Sequence, residues 1–199
     1  MLSQTIREDV GRYVRAVVYD LGSENMVVFN NSPVYDKVRS VRVRSVQLLH
    51  SLGVQCTESV ILVSPSREGD IERVIERVKA LYLGLNTYLH QNGFMVELRP
   101  IIEVLDLTQN QFERLIPIAY RRLISALDSA VEHVNRIIDE LAAINEEARR
   151  GRIRFNLRRF RDNWERIYQY ARDLGIDISR DYEVLVDLID EALRRVGSE

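Results

Sequence analysis

The sequence predicts an α+β fold, in which a small sheet covered by helices is followed by an all-helical region. Residues 12–104 alternate in the order strand, helix, strand, helix, strand, which is typical of a sheet with helices packed on one face. The composition changes at Thr108, and apolar residues beyond it recur at helical spacing. We therefore expect a ferredoxin-like domain over residues 1–107 and a helical domain over residues 108–199.

Three segments carry the strand pattern of β-branched and aromatic residues. The first is Tyr13–Asp20, and Asn25–Phe29 is predicted to be its hairpin partner across a turn. The second is Val54–Ser64, and the third is Phe94–Val104. Pro100 cannot donate a backbone hydrogen bond, so its position in the third segment predicts an edge strand or a bulge.

Two helices are predicted between these strands. Val34–Leu52 carries a single apolar stripe, and Gly53 after it is placed to cap the helix. A second helix begins near Asp70 and ends at Gly93, and its apolar face is almost unbroken. Both helices are amphipathic, as expected of helices that cover a sheet.

A long helix opens the second domain. Thr108 and Gln111 have the spacing of a capping box, and apolar residues continue at helical spacing to Ala148. The helix would contain about 40 residues and be roughly 60 Å long at 1.5 Å per residue. Pro117 should kink or break it, and Gly151 should end it.

Two shorter helices, Phe155–Leu174 and Ser179–Val196, are expected to pack on the long one. The long helix outruns any core that its own chain can supply, and the small sheet should leave a strand edge open. Open edges are usually paired or covered, and two-fold dimers are the commonest oligomers. We therefore predict a homodimer, joined through its sheets or its long helices.

The composition indicates a soluble globular protein. Of the 199 residues, 46% are apolar and 29% are charged, and the net charge of −2 gives no overall attraction to nucleic acid or membrane. All but two of the 28 Lys and Arg residues are arginine. This usage suggests either a hot source, and so a thermophilic protein, or a GC-rich one.

The N-terminal residues lack the apolar centre of a signal peptide, and no apolar run approaches the roughly 18 residues of a membrane span. We therefore expect a cytoplasmic protein with no membrane partner. Cys56 is the only cysteine, so neither an internal disulfide nor a cysteine-based metal site is expected within one chain.

The sharpest local feature is an arginine-rich run over residues 149–161. Seven of its 13 residues are arginine and none is acidic. Arginine binds phosphate bidentately, and the interleaved Phe155 and Phe160 are able to stack on bases. The alternative is a solvated or ion-paired helix face, because both rings also have the spacing of a core stripe with Trp164. The candidate nucleic-acid-binding residues are Arg149, Arg150, Arg152, Arg154, Arg158, Arg159 and Arg161.

A second basic cluster lies on the outward side of the first predicted helix. Val43 and Val46 also fall off the core stripe of that helix, and exposed apolar residues beside charge are typical of a partner surface. Scattered exposure is the alternative interpretation. The basic residues of this α1 cluster are Lys37, Arg39, Arg42 and Arg44.

Asp20 is the one candidate metal ligand. It closes the first strand, where a carboxylate can hold Mg²⁺ as a hard oxygen ligand; the alternative is that it simply begins a turn. The three histidines lie on different predicted helices without ligand spacing, and the chain has no glycine-rich phosphate-binding motif. No cofactor is expected, other than Mg²⁺ if Asp20 binds it.

Val17–Asp20 and Arg42–Val63 resemble two related groups of proteins. One is the N-terminal domain of ChrB-type chromate-resistance regulators. The other is the small ferredoxin-like subunit of CRISPR integration complexes, once described as a metal-dependent nuclease. Both groups carry a strand, a basic helix that ends in a Leu-Gly pair, and a strand with Ser-Val at its centre. The resemblance implies a ferredoxin-like fold.

The similarity to the ChrB type extends through the second helix to an arginine-rich tail like Leu157–Phe160, so it implies a regulatory protein over most of the chain. The similarity to the CRISPR subunit covers residues 13–104. In that family the aspartate that ends the first strand is a metal ligand, which implies this role for Asp20.

Three functions follow as hypotheses. The preferred one is a non-enzymatic regulatory or binding protein that contacts nucleic acid through the arginine-rich helix, because no catalytic set of residues is complete. The first alternative is a metal-dependent nuclease that uses Asp20. The second is a structural or assembly protein, in which the long helix and its neighbours form a helical dimer.

Overall fold

The computed structural model describes residues 14–22, 29–30, 32–141 and 147–197. The described strands are β1 (Val14–Asp20), β2 (Gly53–Thr57), β3 (Val60–Val63) and β4 (Ile101–Leu107). They form one antiparallel sheet in the order β2-β3-β1-β4. Among the described strands, β2 and β4 are therefore the two edges of the sheet.

The described part of the chain also contains five α-helices. They are α1 (Tyr35–His50), α2 (Ile71–Gln91), α3 (Gln109–Leu141), α4 (Glu147–Asp173) and α5 (Ser179–Gly197). A short 3-10 helix, Pro65–Asp70, leads from β3 into α2. No helix in this part of the chain combines the length and apolar character that crossing a bilayer requires.

Helices cover both faces of the sheet. Because successive side chains of a strand point to opposite faces, Val17 and Ile61 are buried against α1 and α2, whereas Ala16 and Leu62 are buried in a core with α3, α4 and α5. The two helices between the strands, α1 and α2, share one face as expected, and the helices after Thr108 cover the other. The long helix supplies the second layer, and the region after Thr108 shares a core with the sheet.

The second predicted strand, Val54–Ser64, is in fact a hairpin of two strands. β2 and β3 are joined through Glu58 and Ser59. The prediction of a single strand is wrong because neither residue is a glycine, proline or asparagine that would mark the turn in the sequence. The predicted partner strand Asn25–Phe29 lies almost entirely outside the described residues.

β4 begins later than predicted. Residues 94–100 form no strand, since β1 ends at Asp20 opposite Ile101, and the side chain of Asn86, in α2, satisfies both backbone groups of Leu98. The amide of Asn86 donates to the Leu98 carbonyl, and its carbonyl accepts from the Leu98 N–H, each at 2.9 Å. Pro100 directly precedes β4, and the predicted edge position of this strand is confirmed.

Gly53 does not cap α1 but begins β2. α1 ends at His50, and Ser51 is its capping residue. A Cβ atom at Gly53 would lie 2.0 Å from the carbonyl oxygen of Leu62 in β3. Glycine is needed here because the two strands of the hairpin approach each other closely.

The predicted capping box at the start of α3 is confirmed. The Thr108 N–H donates to Gln111 Oε1 at 2.9 Å, and the Gln111 N–H donates to Thr108 Oγ1 at 3.3 Å. α3 continues through Pro117. The predicted extension to Ala148 and stop at Gly151 are wrong, because α4 contains both residues. A glycine at an exposed helix position costs only about 1 kcal/mol.

The C-terminal end of α4 is bonded to the sheet region. Asp173 Oδ2 accepts hydrogen bonds from the hydroxyls of Ser64, at 2.6 Å, and Ser66, at 2.7 Å. The hydroxyl of Tyr170 donates to the carbonyl of Ser51 at 3.0 Å. These contacts hold α4 against the segments that flank β2 and β3, and so set the position of the arginines earlier in the helix.

Candidate functional site

α4 carries all seven arginines of the predicted run and divides them between two faces. Its inward face is fixed by Leu157 and Trp164, which are 1% and 6% exposed. The arginines on the outward face are exposed, whereas those toward α5 are half-buried. The exposed set is Arg149, Arg152, Arg158 and Arg159, and the half-buried set is Arg150, Arg154 and Arg161.

Two of the half-buried arginines bind α5. Arg154 donates to the carbonyl of Val196 at 3.1 Å, in the last turn of α5, where the helix dipole favours a cation. Arg161 forms an ion pair with Asp190 at 2.6 Å. The guanidinium groups of Arg154 and Arg161 are thus already engaged within the chain, as the ion-paired interpretation of the run predicts for this face.

The outward side of α4 carries a regular polar stripe. Its six members are Arg149, Arg152, Asn156, Arg159, Asn163 and Arg166, which we call the α4 stripe. Their spacing alternates between three and four residues, so they share one face of the helix. All six are exposed, and none is acidic. The stripe extends about 25 Å at 1.5 Å per residue.

Phe155 lies beside the stripe and is exposed, not packed. Its side chain is 60% exposed, and the guanidinium carbon of Arg159 lies 5.8 Å from the ring centre. Phe160 and Trp164 do pack together, with ring centres 6.4 Å apart. The core interpretation of the aromatic residues is therefore wrong for Phe155 and correct for the other two.

A cleft of about 1560 Å³ runs alongside the α4 stripe. One wall is α4, through the last four members of the stripe. The facing wall is the end of α1 and the start of β2, and α3 completes the lining. The residues from these other elements include Gln47, His50, Gly53, Gln55, Arg122, Ser125 and Ser129.

Arginines and carboxylates both line the cleft, with the arginines in slight excess. The carboxylates are Asp162 and Glu165, and the arginines are Arg122, Arg159 and Arg166. Arg122 forms neither a hydrogen bond nor an ion pair with any other described residue. Its charge is therefore available to a bound anion.

His50 lies at the α1 side of the cleft and is bonded to β1. Its Nε2 atom is 3.2 Å from the hydroxyl oxygen of Tyr19, and that hydroxyl donates to the carbonyl of Glu58 at 2.8 Å. Burial lowers the pKa of His50, and the Arg122 guanidinium lowers it further. The lowered pKa favours the neutral form of His50, so the positive charge here resides on Arg122. Because the Tyr19 proton is donated to Glu58, a hydrogen bond between Tyr19 and His50 needs Nε2–H as its donor.

The α1 cluster adjoins the cleft through Gln47. This residue lines the cleft and also a shallow groove on α1 that contains Arg39 and Arg44. Val43 is 49% exposed in that groove, as predicted, whereas Val46 packs partly against the core. The fold thus places Arg39 and Arg44 of the α1 cluster in a groove beside the cleft, and Asp36 lines the same groove.

Asp20 is exposed at the end of β1. Its Oδ1 atom accepts a hydrogen bond from the Gly22 N–H at 2.8 Å, the geometry of an Asx turn. No group of three His, Cys, Asp or Glu side chains suited to a metal ion exists among the described residues.

Sequence reasoning missed three members of the stripe and Arg122. Asn156 lies within the arginine-rich run, and Asn163 and Arg166 continue its alternating spacing, so a helical projection of residues 149–166 would have found all three. Arg122 gave no signal in the sequence, because it reaches the cleft only through the packing of α3 on β2.

The chain matches no protein-family model and shows no significant similarity to a curated protein or a solved structure. The function is therefore argued from the chemistry of the cleft and the α4 stripe.

Proposed function

We propose that the protein binds nucleic acid without cleaving it, and that the α4 stripe contacts the phosphates. The observation that carries the proposal is four exposed arginines on one helix face, with no carboxylate among the six stripe residues. Arginine donates paired hydrogen bonds to phosphate oxygens. A row of charge about 25 Å long suits a linear polyanion, because several phosphates of one strand can lie within reach of its arginines.

The attraction is local, since the whole chain carries a net charge of −2. Asp162 and Glu165 repel phosphate from the part of the cleft that they line, and this directs the nucleic-acid backbone toward the stripe. A binding protein of this kind also fits the regulatory role that the resemblance to ChrB-type regulators implies.

We further propose that the first domain has the ferredoxin-like topology. Its elements follow the order β1-α1-β2-β3-α2-β4, and the sheet order is β2-β3-β1-β4. This β-α-β-β-α-β succession, with the first strand central in the sheet, supports the assignment.

A homodimer formed through β4 completes the proposal. Ile101, Val104 and Leu105 on this edge strand are 59%, 39% and 43% exposed, and exposed apolar edges are usually paired. The long helix gives no further support, because its buried residues from Ala119 to Leu141 already belong to the core that it shares with the sheet, α4 and α5. Light scattering should give twice the chain mass of 23.2 kDa, and a monomer would contradict the dimer.

The binding proposal is tested by fluorescence anisotropy with labelled oligonucleotides of about 20 nucleotides, enough to span the stripe. The test variant replaces Arg149, Arg152, Arg159 and Arg166 with alanine. Each phosphate contact contributes about 0.7–0.9 to the slope of log affinity against log salt, so four lost contacts should make the slope shallower by about 3.

The matched control replaces four exposed cations outside the cleft, namely Arg73, Arg77, Lys79 and Arg99. This control removes the same amount of charge from a different surface. If the position of the arginines in the stripe decides affinity, the control should bind like the wild type. Equal loss in both variants would mean that overall charge, and not the stripe, attracts the nucleic acid. No wild-type binding at about 50 mM salt, where phosphate contacts are strong, would refute the proposal and favour the structural or assembly alternative.

A further inference from the structure

We infer that the nucleic acid held by the α4 stripe is single-stranded, with an unpaired base stacked on Phe155 and neighbouring bases turned into the cleft. This inference rests on the proposed function and specifies the substrate class of the same site. Three features of the molecule support it, namely the exposed ring, the amides within the stripe, and the second wall of the cleft.

Phe155 presents its ring to solvent within a basic surface. It is 60% exposed and belongs to neither hydrophobic core of the described residues. Arg152, Arg158 and Arg159 are exposed around it, and Arg159 lies over the ring. An aromatic side chain among cations stacks well on a base whose face is free. In a duplex the base faces are covered by their neighbours, so this ring would have no partner.

Amides alternate with arginines in the stripe. Asn156 and Asn163 lie between arginines on the α4 wall, and Gln47 and Gln55 lie in the facing wall. Asn163 Oδ1 accepts a hydrogen bond from Arg166 at 3.2 Å, and the Gln55 amide donates to the Glu58 carbonyl at 3.4 Å. Among the described residues of the cleft, Asn156 and Gln47 are therefore the amides with both groups open to a base. An amide both donates and accepts hydrogen bonds, so it can pair with the edge of a base. The α4 wall therefore presents arginines that can bind phosphates and amides that can bind base edges. It suits a single strand, in which phosphates and base edges are accessible at the same time.

The wall of the cleft that faces α4 leaves too little room for a duplex to reach the stripe there. A recognition helix, about 10–12 Å across, fills a major groove about 12 Å wide and must stand clear of the rest of the protein. The last four members of the stripe lack this clearance, because His50 and Gly53–Gln55 line the same cleft. A single strand needs only the cleft, whose volume of about 1560 Å³ exceeds the roughly 300–1,000 Å³ of small-molecule sites.

The carboxylates of the cleft fit the same arrangement. Asp162 and Glu165 would repel phosphate, but a carboxylate accepts hydrogen bonds from the exocyclic amino groups of bases. The phosphates therefore follow the arginines at the rim, and the bases enter the cleft. Trp164, the only tryptophan of the chain, lines the cleft, so its fluorescence should change when a base enters the cleft.

The experiment compares four labelled oligonucleotides of equal length: single-stranded DNA, single-stranded RNA, duplex DNA, and an abasic single strand with the same phosphates. Anisotropy gives the affinities, and the fluorescence of Trp164 is followed in parallel. We expect at least one of the base-containing single strands to bind about tenfold more tightly than the duplex and the abasic strand, since each stacked base contributes about that factor. The same strand should change the Trp164 emission, and the comparison of DNA with RNA identifies the natural ligand.

The decisive variant is Phe155→Leu, which keeps an apolar side chain but removes the stacking surface. It should weaken single-strand binding about tenfold and leave abasic-strand binding unchanged, and Phe155→Trp should restore affinity. Leu83→Ala is the control, because Leu83 is an apolar helix residue that is 71% exposed and lies on α2 away from the cleft.

The single-strand inference and the proposed function would be refuted by different results. Duplex binding as tight as single-strand binding, or Phe155→Leu binding like the wild type, would overturn the single-strand inference while the arginine dependence of the stripe stands. Loss of arginine dependence for every oligonucleotide would overturn the proposed function itself. Circular dichroism of each variant checks that the substitutions leave the fold intact.

Discussion

Asp173 is expected to hold α4 in place, and its replacement by asparagine tests this directly. The Asp173 carboxylate accepts hydrogen bonds from Ser64, Ser66 and Gln169 at 2.6, 2.7 and 2.8 Å. Hydrogen bonds to a charged group contribute about 1.5–3 kcal/mol each. Asparagine keeps the shape and one acceptor, and solvent screens this partly exposed group. We therefore expect Asp173→Asn to lower the free energy of unfolding by about 2 kcal/mol.

The effect of Asp173 should depend on pH. The hydrogen bond from Ser64 is the largest cause that lowers the pKa of Asp173; burial opposes it, and the bonds from Ser66 and Gln169 lower the pKa further. The pKa in the folded protein therefore lies below the unfolded value of about 3.9. The stabilisation is fully present above the unfolded pKa and is lost as the pH falls through the folded pKa.

Urea denaturation followed by circular dichroism at several pH values gives the free energy of unfolding of wild type and of Asp173→Asn. The difference between these two free energies should be constant from about pH 5 to pH 8 and shrink below about pH 4. At neutral pH the melting temperature should fall by about 4–8 °C for a chain of this size. Asp162→Asn, an exposed carboxylate on the same helix, is the control and should change little. Equal stability of Asp173→Asn and wild type at pH 7 would refute the role of Asp173.

Three further substitutions test the packing and the metal alternative. Gly53→Ala should lower the free energy of unfolding by about 2 kcal/mol, because its Cβ would overlap the Leu62 carbonyl oxygen; an unchanged melting curve would contradict the close approach. Ser45→Ala should raise the free energy of unfolding by about 1 kcal/mol, since the Ser45 hydroxyl is fully buried with no hydrogen-bond partner among the described residues; a loss of stability in urea denaturation would contradict this. Asp20→Ala should leave nucleic-acid affinity unchanged in Mg²⁺, with the wild type cleaving neither strand in a gel assay; cleavage that Asp20→Ala abolishes would establish the nuclease alternative instead.

The sequence predicted those elements whose signals are local. The apolar stripes located α1, α2 and α5, and Thr108 with Gln111 marked the start of α3 because a capping box uses neighbouring residues only. The hairpin of β2 and β3 was missed because an apolar run with an unremarkable turn resembles one strand. The delayed start of β4 depends on Asn86, which is distant in sequence from that strand.

The candidate site, like the fold, could be predicted from the sequence only in part. The arginine-rich run and its helical spacing are features of the sequence, but the division between stripe and α5-facing arginines is not. That division follows from the position of Asp190 and Val196, which engage Arg161 and Arg154. The cleft itself forms between segments that lie far apart in the chain, so only the folded structure brings Arg122 to the stripe.

The central claim is that the α4 stripe binds nucleic-acid phosphates, and the salt dependence of affinity tests it most directly. We predict a linear fall of log affinity with log salt for the wild type, an equal slope for the control that lacks Arg73, Arg77, Lys79 and Arg99, and a slope shallower by about 3 for the variant that lacks the four stripe arginines. Identical slopes for the stripe variant and the control would contradict the account.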